Sequence, residues 1–335
     1  MISETGEPDS LPVFSFYIMK GVVKMKRIQL NAFAKINLSL DVLGVLDNGF
    51  HQVEMVMQQI LLSDDVLIRW KEAADEHMVT IRVSTNKYFL PTDERNLAYK
   101  AAMLMIEHFG TGKRGRILID IKKRIPVAAG LAGGSSDASA VIHGINRLWQ
   151  LDLSLRELCS LGAELGSDVP FCIMGQAAAD KALKPFFSHD PLACHCALAT
   201  GTGTDLKPLT GLKSNLVLSK PSISVSTAEV YKGIDEIRIP AHPDNAKMAA
   251  ALAKGDIEAV KKNMVNVLEN FTLKRYPIVM YTKNKLQELC DPKCVLMSGS
   301  GPTVFGLCIN IEQSKQICRE MLKENNESFW TRTTW

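Results

Sequence analysis

Apolar and polar residues alternate from residue 26 to 43, in "KRIQLNAFAKINLSLDVL". The alternation breaks at "LDNGF", where Asn48-Gly49 is a hairpin signal. Strand character resumes in "VEMVMQQI", "DVLIRW" and "VTIRVS". Then the period changes. "NLAYKAAMLMIEHFG" carries apolar residues at helical spacing and stops at Gly110. "GRILIDIKKRI" reads as a strand that Pro126 ends. A run of small residues follows, "PVAAGLAGGSSDASA" (126–140), and leads into the helical pattern "VIHGINRLWQL". "SLRELCSLGAELG" is a further helix, ending at Gly166.

The texture changes after residue 175, where Pro, Gly and short apolar pieces mix as far as "GTGTDLKPL". "NLVLSKP" reads as a strand ended by Pro221. "AKMAAALAKGDIEAVKKNMVNVL" and "YTKNKLQELC" read as helices. "CVLMSGSGPTVFGLCI" is strand, glycine turn, strand, and "EQSKQICREMLKEN" closes as a helix. Strands and helices occur without strict alternation, which predicts an α+β protein in two lobes. The expected division is 25–185 and 186–335, with the boundary falling inside the mixed segment.

Length agrees, since 335 residues suit two domains better than one core. A net charge of +3, no long basic run and 7% aromatic residues argue against a nucleic-acid binder. No stretch approaches the roughly 20 apolar residues of a membrane span. The eight cysteines show no CxxC spacing. Cys194-His195-Cys196 and the Cys290/Cys294 pair lack a second matching half, so free thiols in a cytoplasmic protein are expected and no metal site is. Residues 1–24 begin with acidic residues before the short apolar "FSFYIM", unlike a signal peptide. Met25 opens the first strand pattern, so 1–24 reads as an extension outside the core.

Four stretches carry candidate chemistry. A helix start has unpaired N–H groups and partial positive charge, so it attracts anions. In the 126–140 loop, Gly130, Gly133 and Gly134 allow close approach, and Ser135 and Ser136 add hydroxyls; a triphosphate suits such a cradle. It is not a Walker loop, because no lysine follows the glycines. Alone, it reads equally as tight packing of helix on sheet. In "AFAKINLSL", Lys35 and Asn37 share a strand face, which suits a polar cleft, although an edge-strand lysine in solvent is the plainer reading. In "GSDVPFC", Asp168 stands before an apolar run, and a carboxylate there needs a cation such as Lys35. "SGSGPTVFG" is a tight turn, with or without a ligand role.

Together these stretches resemble the GHMP kinase superfamily of ATP-dependent small-molecule kinases. The stretch from Pro126 to Ser136 is similar to its phosphate loop, and "SGSGPTVFG" to its C-terminal glycine motif. "AFAKINLSLDVLG", "NGFHQVEMVMQ", "GSDVPFC" and "SVSTAEVY" narrow the likeness to the branch acting on a cytidine-diphosphate derivative of methylerythritol, on the non-mevalonate route to isoprenoid precursors. The resemblance runs from about Met25 to about Glu320.

The resemblance implies a two-lobed fold with an N-terminal ATP-binding lobe, and ATP as donor with magnesium carried by the nucleotide. Lys35 and Asp168 become the catalytic pair and Asn37 a substrate-positioning residue. The loop Pro126, Val127, Ala128, Ala129, Gly130, Leu131, Ala132, Gly133, Gly134, Ser135 and Ser136 becomes the phosphate cradle. Asn96 and Lys123 fall near the adenosine. Phe50 and His51 read the cytosine by stacking and hydrogen bonding, and Thr227 contacts substrate from the second lobe. Each has a plain alternative: Asn96 and Thr227 as helix caps, Lys123 as a solvated strand residue, Phe50 as core and His51 as a turn residue.

Three features depart from the family pattern. Phe50 stands where tyrosine is common. Residues 1–24 precede the shared region. "QAAADKALKPFFSHDPLACHCALAT" intervenes before "GTGTDL", with Gln176 in place of a glycine and Asp205 near an expected glutamate. That segment is either a surface loop or a part that reshapes the substrate end. The expected partner is a small cytidine-diphosphate molecule, with no nucleic acid and no membrane, and the expected state is monomer or weak homodimer. The alternatives are a kinase of mevalonate, homoserine or a sugar, and a silent nucleotide-binding relative.

Overall fold

The computed structural model describes residues 25–335 except 48, 74 and 75. The extension at 1–24 and Asn48 of the hairpin signal lie outside the described residues.

Two long strands begin the chain, β1 (Met25–Val45) and β2 (His51–Glu72), paired antiparallel along nearly their whole length. They are followed by β3 (Val79–Thr85), α1 (Leu97–Phe109), β4 (Gly115–Lys122), α2 (Gly133–Trp149), α3 (Leu155–Leu165), α4 (Val169–Ala179) and the short α5 (Lys184–Phe187). Next come β5 (Cys196–Thr200), β6 (Asp205–Leu209), β7 (Asn215–Lys220) and α6 (Thr227–Ile234). The chain ends with α7 (Asn245–Lys254), α8 (Ile257–Asn263), α9 (Glu269–Arg275), α10 (Pro277–Leu289), β8 (Val295–Met297), β9 (Val304–Cys308), α11 (Ile311–Met321) and β10 (Glu327–Arg332).

The first sheet has six strands in the order β3-β4-β2-β5-β6, with β1 also on β2; only β3 and β4 run parallel. The second has four antiparallel strands in the order β10-β7-β9-β8. β1 to β4 of the first sheet turn apolar residues toward α1–α4, where Leu30, Ile68, Ile117, Ile142 and Ile173 are buried in one core. A second core lies among α6, α9, α10, α11 and the second sheet, and a third joins the two sheets through Ile36, Leu38, Leu296 and Phe305.

Several sequence expectations shift. "VEMVMQQI" and "DVLIRW" are one continuous strand. "AKMAAALAKGDIEAVKKNMVNVL" breaks at Gly255, which takes φ +66° and ends α7, so that Asp256 can cap α8. β10 was not expected; it is an edge strand whose residues pair with β7 alone. Two strands that follow residue 186 also belong to the first sheet. β5 and β6 hydrogen-bond into the first sheet through β2, so that sheet ends near residue 209.

The lobes are sewn together by backbone. The amide of Leu40 donates to the Val265 carbonyl at 2.9 Å, and the amide of Val267 donates to the Leu40 carbonyl at 3.0 Å. β2 also meets the C-terminus, where the Thr334 amide donates to the Gln59 carbonyl at 3.1 Å.

Candidate active site

The mixed segment after α4 is neither a loose loop nor part of a cleft. Leu183 and Phe187 enter the first core, and the carboxylate of Asp180 accepts from the Asn31 backbone amide at 2.8 Å. Gln176 sits in the interior and donates to the Ser136 carbonyl at 2.7 Å. The ring of Phe187 lies 5.5 Å from that of His143, whose imidazole is pushed down to about 4 by burial, partly offset by its bond to the Ile173 carbonyl. No residue from 169 to 201 lines the main cleft, so this segment does not reshape it.

That cleft has a volume of about 1160 Å³ and runs between the lobes. β1 supplies its polar floor. Bulges between Phe33 and Lys35 and between Asn37 and Ser39 re-aim the strand at this point. Lys35 is almost wholly buried, and its ammonium donates to Asn37 Oδ1 at 2.8 Å and lies 3.7 Å from Asp168 Oδ2. A buried ammonium needs such partners, so the reading of Lys35 as a lysine in solvent does not hold. Asp168 occupies the cap position before α4, but its backbone is already helical (φ −81°, ψ −17°) and its side chain makes no cap bond. Its carboxylate therefore faces the cleft beside Lys35.

The small-residue loop forms one wall. Ala128, Gly130 and Ala132 take φ of 50°, 71° and 56°. For the alanines this left-handed backbone costs roughly 1–2 kcal/mol each. The bends leave the first-turn amides of Gly133, Gly134 and Ser135 at the start of α2 without intrahelical acceptors. Ala132 cannot cap them, so they remain available to an anion.

Not every loop residue faces the cleft. Leu131 is core, and its carbonyl accepts from the Lys35 amide at 3.1 Å. The Ser136 hydroxyl is fully buried and donates to the Phe33 carbonyl at 2.5 Å. The expectation that Ser136 offers its hydroxyl to phosphate is corrected: its side chain points about 100° round the helix from Ser135, into the sheet.

The second lobe's glycine turn clamps the loop. The Ser298 hydroxyl donates to the Gly130 carbonyl at 2.9 Å, and a Cβ on Gly130 would stand 2.2 Å from the Ser298 carbonyl oxygen. Asn266 holds that turn by donating to the Met297 and Gly299 carbonyls, each at 2.8 Å.

Lys123 lines the cleft, but its ammonium is engaged below it with Asp64 at 2.5 Å and Asp137 at 2.7 Å. It is buried, so the solvated-strand reading fails. Burial pulls its pKa down, but the two carboxylates outweigh that and hold it above the ordinary value. Asp137 is pushed up to about 7, by burial first, against the pull of Lys123 and with the charge of Asp64 adding to the rise. Asn96 is a cap: its side chain accepts from the Ala98 amide at 2.9 Å and donates to the Pro91 carbonyl at 2.8 Å, while the residue borders the cleft.

The far end is aromatic. Phe50 is mostly exposed at the cleft rim rather than core. The His51 ring lies 4.8 Å from that of Tyr231, and its Nε2 is 3.0 Å from both carboxylate oxygens of Asp235. Burial, then the Asp168 charge, raise the Tyr231 hydroxyl pKa. Thr227 borders the cleft and shares a 3.0 Å hydrogen bond with Ser300, while the cap of α6 is Ser226.

Sequence reasoning did not single out Asp64, Asp137, Tyr231, Asp235 or Ser300. Asp137 follows the loop serines directly, and Tyr231 and Asp235 lie four apart on one helix face, which were the available signals.

The GHMP kinases N terminal domain family matches residues 96–176, and the GHMP kinases C terminal family matches residues 248–327. The 4-diphosphocytidyl-2-C-methyl-D-erythritol kinase of Alkaliphilus metalliredigens is 45% identical over 292 residues, 87% of this chain and 91% of that one. The enzyme of the same name from Bacillus licheniformis is 48% identical over 284 residues, 84% of this chain and 88% of that one. A crystal structure of 4-(cytidine 5'-diphospho)-2C-methyl-D-erythritol kinase matches with a TM-score of 0.70 at 25% identity, over 92% of this chain and 100% of that one. The fold is also that of the homoserine kinase of Cytophaga hutchinsonii, with a TM-score of 0.65 at 20% identity over 96% of this chain and 97% of that one. With the loop, the lysine–carboxylate pair and the aromatic rim in one cleft, the chain belongs to the 4-diphosphocytidyl-2-C-methyl-D-erythritol kinase family of GHMP kinases.

Proposed function

We propose that this chain transfers the γ-phosphoryl group of ATP to the 2-hydroxyl of 4-diphosphocytidyl-2-C-methyl-D-erythritol, on the non-mevalonate route to isoprenoid precursors. The observation that carries the reading is the Lys35–Asp168 contact of 3.7 Å, which shares a cleft with the exposed first turn of α2. Phosphoryl transfer depends mostly on positioning and charge stabilisation. The amides of Gly133, Gly134 and Ser135 would hold the donor's phosphates. Asp168 would accept the proton of the substrate hydroxyl as that oxygen bonds to the γ-phosphorus. The bond from that phosphorus to the bridging oxygen breaks, and ADP leaves with the electron pair. Lys35 would pair with the Asp168 carboxylate and steady the charge in transfer, and Asn37 would aim Lys35.

Among the described residues no group of three or more His, Cys, Asp or Glu stands together as a metal cage. In this reading magnesium would arrive on the nucleotide, where it offsets phosphate charge. At the other end, Phe50 and Tyr231 would offer faces to the base and His51 a polar edge. Among the described residues no helix is long and apolar enough to cross a membrane, and the reading includes a cytoplasmic monomer or weak homodimer.

The test is ATP consumption by purified protein with magnesium and the cytidine compound, beside mevalonate, homoserine and galactose. Turnover with the cytidine compound alone, abolished in Asp168→Ala, is expected. Turnover with one of the other three instead overturns the substrate. Nucleotide binding without turnover of any of the four makes the chain a silent relative.

A further inference from the structure

The mechanism above leaves Asp235 without a role, yet it makes a close polar contact in the aromatic end. Both of its carboxylate oxygens lie 3.0 Å from His51 Nε2. An ionised carboxylate only accepts, so Nε2 must carry the hydrogen. In the neutral imidazole the other nitrogen, Nδ1, is then a lone-pair acceptor. Nδ1 makes no hydrogen bond to any described residue and is not sealed from solvent. The ring cannot swing freely, because Tyr231 lies 4.8 Å away at an interplanar angle of 45°. Asp235 is the C-cap of α6, one helical turn beyond Tyr231, so one helix and its cap set both the plane and the hydrogen of the imidazole. All three residues line the cleft beside Phe50.

We infer that Asp235 is a positioning residue that makes His51 an obligate acceptor toward the cleft, so that the site selects a pyrimidine with an exocyclic amino group and rejects one with a carbonyl there. An amino group donates to Nδ1. A carbonyl oxygen at the same place would face a lone pair, leaving two acceptors opposed in a partly desolvated site, which is where discrimination is strongest. The inference rests on the proposed function for the identity of the bound group, but its test does not require turnover.

Binding of CDP and UDP is measured by calorimetry at about pH 8, above the ordinary imidazole range. A non-hydrolysable ATP analogue is kept saturating, so the donor end is filled. Wild type is expected to bind CDP at least about 10-fold more tightly than UDP, a difference of about 1.4 kcal/mol. In Asp235→Ala the preference should shrink to within about 3-fold while affinity for the ATP analogue and Tm stay the same, and Asp235→Glu should restore part of it. Nitrogen-15 shifts of His51 should report hydrogen on Nε2 in wild type and a mixture in Asp235→Ala. An unchanged CDP-to-UDP ratio in Asp235→Ala, or no preference in wild type, overturns the inference even if the enzyme turns over its substrate. Absence of turnover in wild type, with a CDP preference that shrinks in Asp235→Ala, overturns the proposed reaction instead.

Discussion

The phosphate end of the cleft and its aromatic end are held in place by different means. At the phosphate end, position comes from backbone: left-handed turns at Ala128, Gly130 and Ala132, a carbonyl of that loop on the Lys35 amide, and a glycine turn pressed against Gly130. The side chains that matter there, Lys35 and Asn37, are buried in a strand core. At the aromatic end, position comes from side chains near solvent: Phe50 on the rim, and His51 held by Asp235 and Tyr231. Backbone can present several amides to a phosphate without regard to the rest of the molecule. A base edge demands individual donors and acceptors, which only side chains supply. So changes at the phosphate end should disturb folding and chemistry together, and changes at the aromatic end should disturb binding alone.

Asp168→Ala gives the largest expected effect. Losing a general base costs about 10²–10⁴-fold in kcat, while nucleotide binding should persist because the loop is untouched; a coupled assay with a nucleotide titration checks both. Lys123→Met should destabilise the fold by roughly 3–5 kcal/mol, since Asp64 and Asp137 lose their buried counterion; urea unfolding measures it. Gly130→Ala places a Cβ 2.2 Å from the Ser298 carbonyl. A shift of about 1 Å in the loop should cost on the order of 10² in kcat/KM, with a lowered Tm. If Gly130→Ala left both unchanged, the backbone account of the phosphate end would be wrong.

The same end should be sensitive to pH. The folded protein holds a proton on Asp137 up to about 7, whereas the ordinary value is 3.8. The native state thus binds more protons than the unfolded chain in that interval. Stability from this group is present below about pH 4 and is lost as pH rises through about 7. Between pH 5 and 8 the wild type should lose roughly 1–3 kcal/mol that Asp137→Asn does not lose, by urea midpoints at each pH. The smallest effect belongs to the aromatic end. Phe50→Ala should raise KM for the cytidine substrate about 10-fold, as expected for a lost base stack of roughly 1–3 kcal/mol, with Tm and the KM for ATP unchanged. A drop in Tm there would erase the contrast between the ends.

Much of this was legible in the chain. Alternation marked β1 and the helical period marked α1–α3, because their apolar residues recur at strand and helix spacing, although β1 from Ala32 to Val42 and most of α2 are buried on every side. The candidate pair Lys35 and Asp168 was legible because each charge sits in an apolar setting and needs the other. What was not legible depends on partners far along the chain. Ser136 and Lys123 turn inward only because Phe33 and Asp64, 103 and 59 residues earlier, wait for them. β5 and β6 join the first sheet because β2 has an open edge, which no local pattern announces. β10 is an edge strand with mixed polarity, and such strands carry little periodicity.

The backbone bonds between Leu40 and residues 265 and 267 carry a consequence for exchange with solvent. The lobes cannot part at this point without breaking the hydrogen bonds to β1, the strand that carries the catalytic floor. In deuterium-exchange experiments the amides of Leu40 and Val267 should therefore open only with global unfolding, together with the amide of Lys35. The clock that measures the survival of the whole chain would then be read from the residue next to its chemistry.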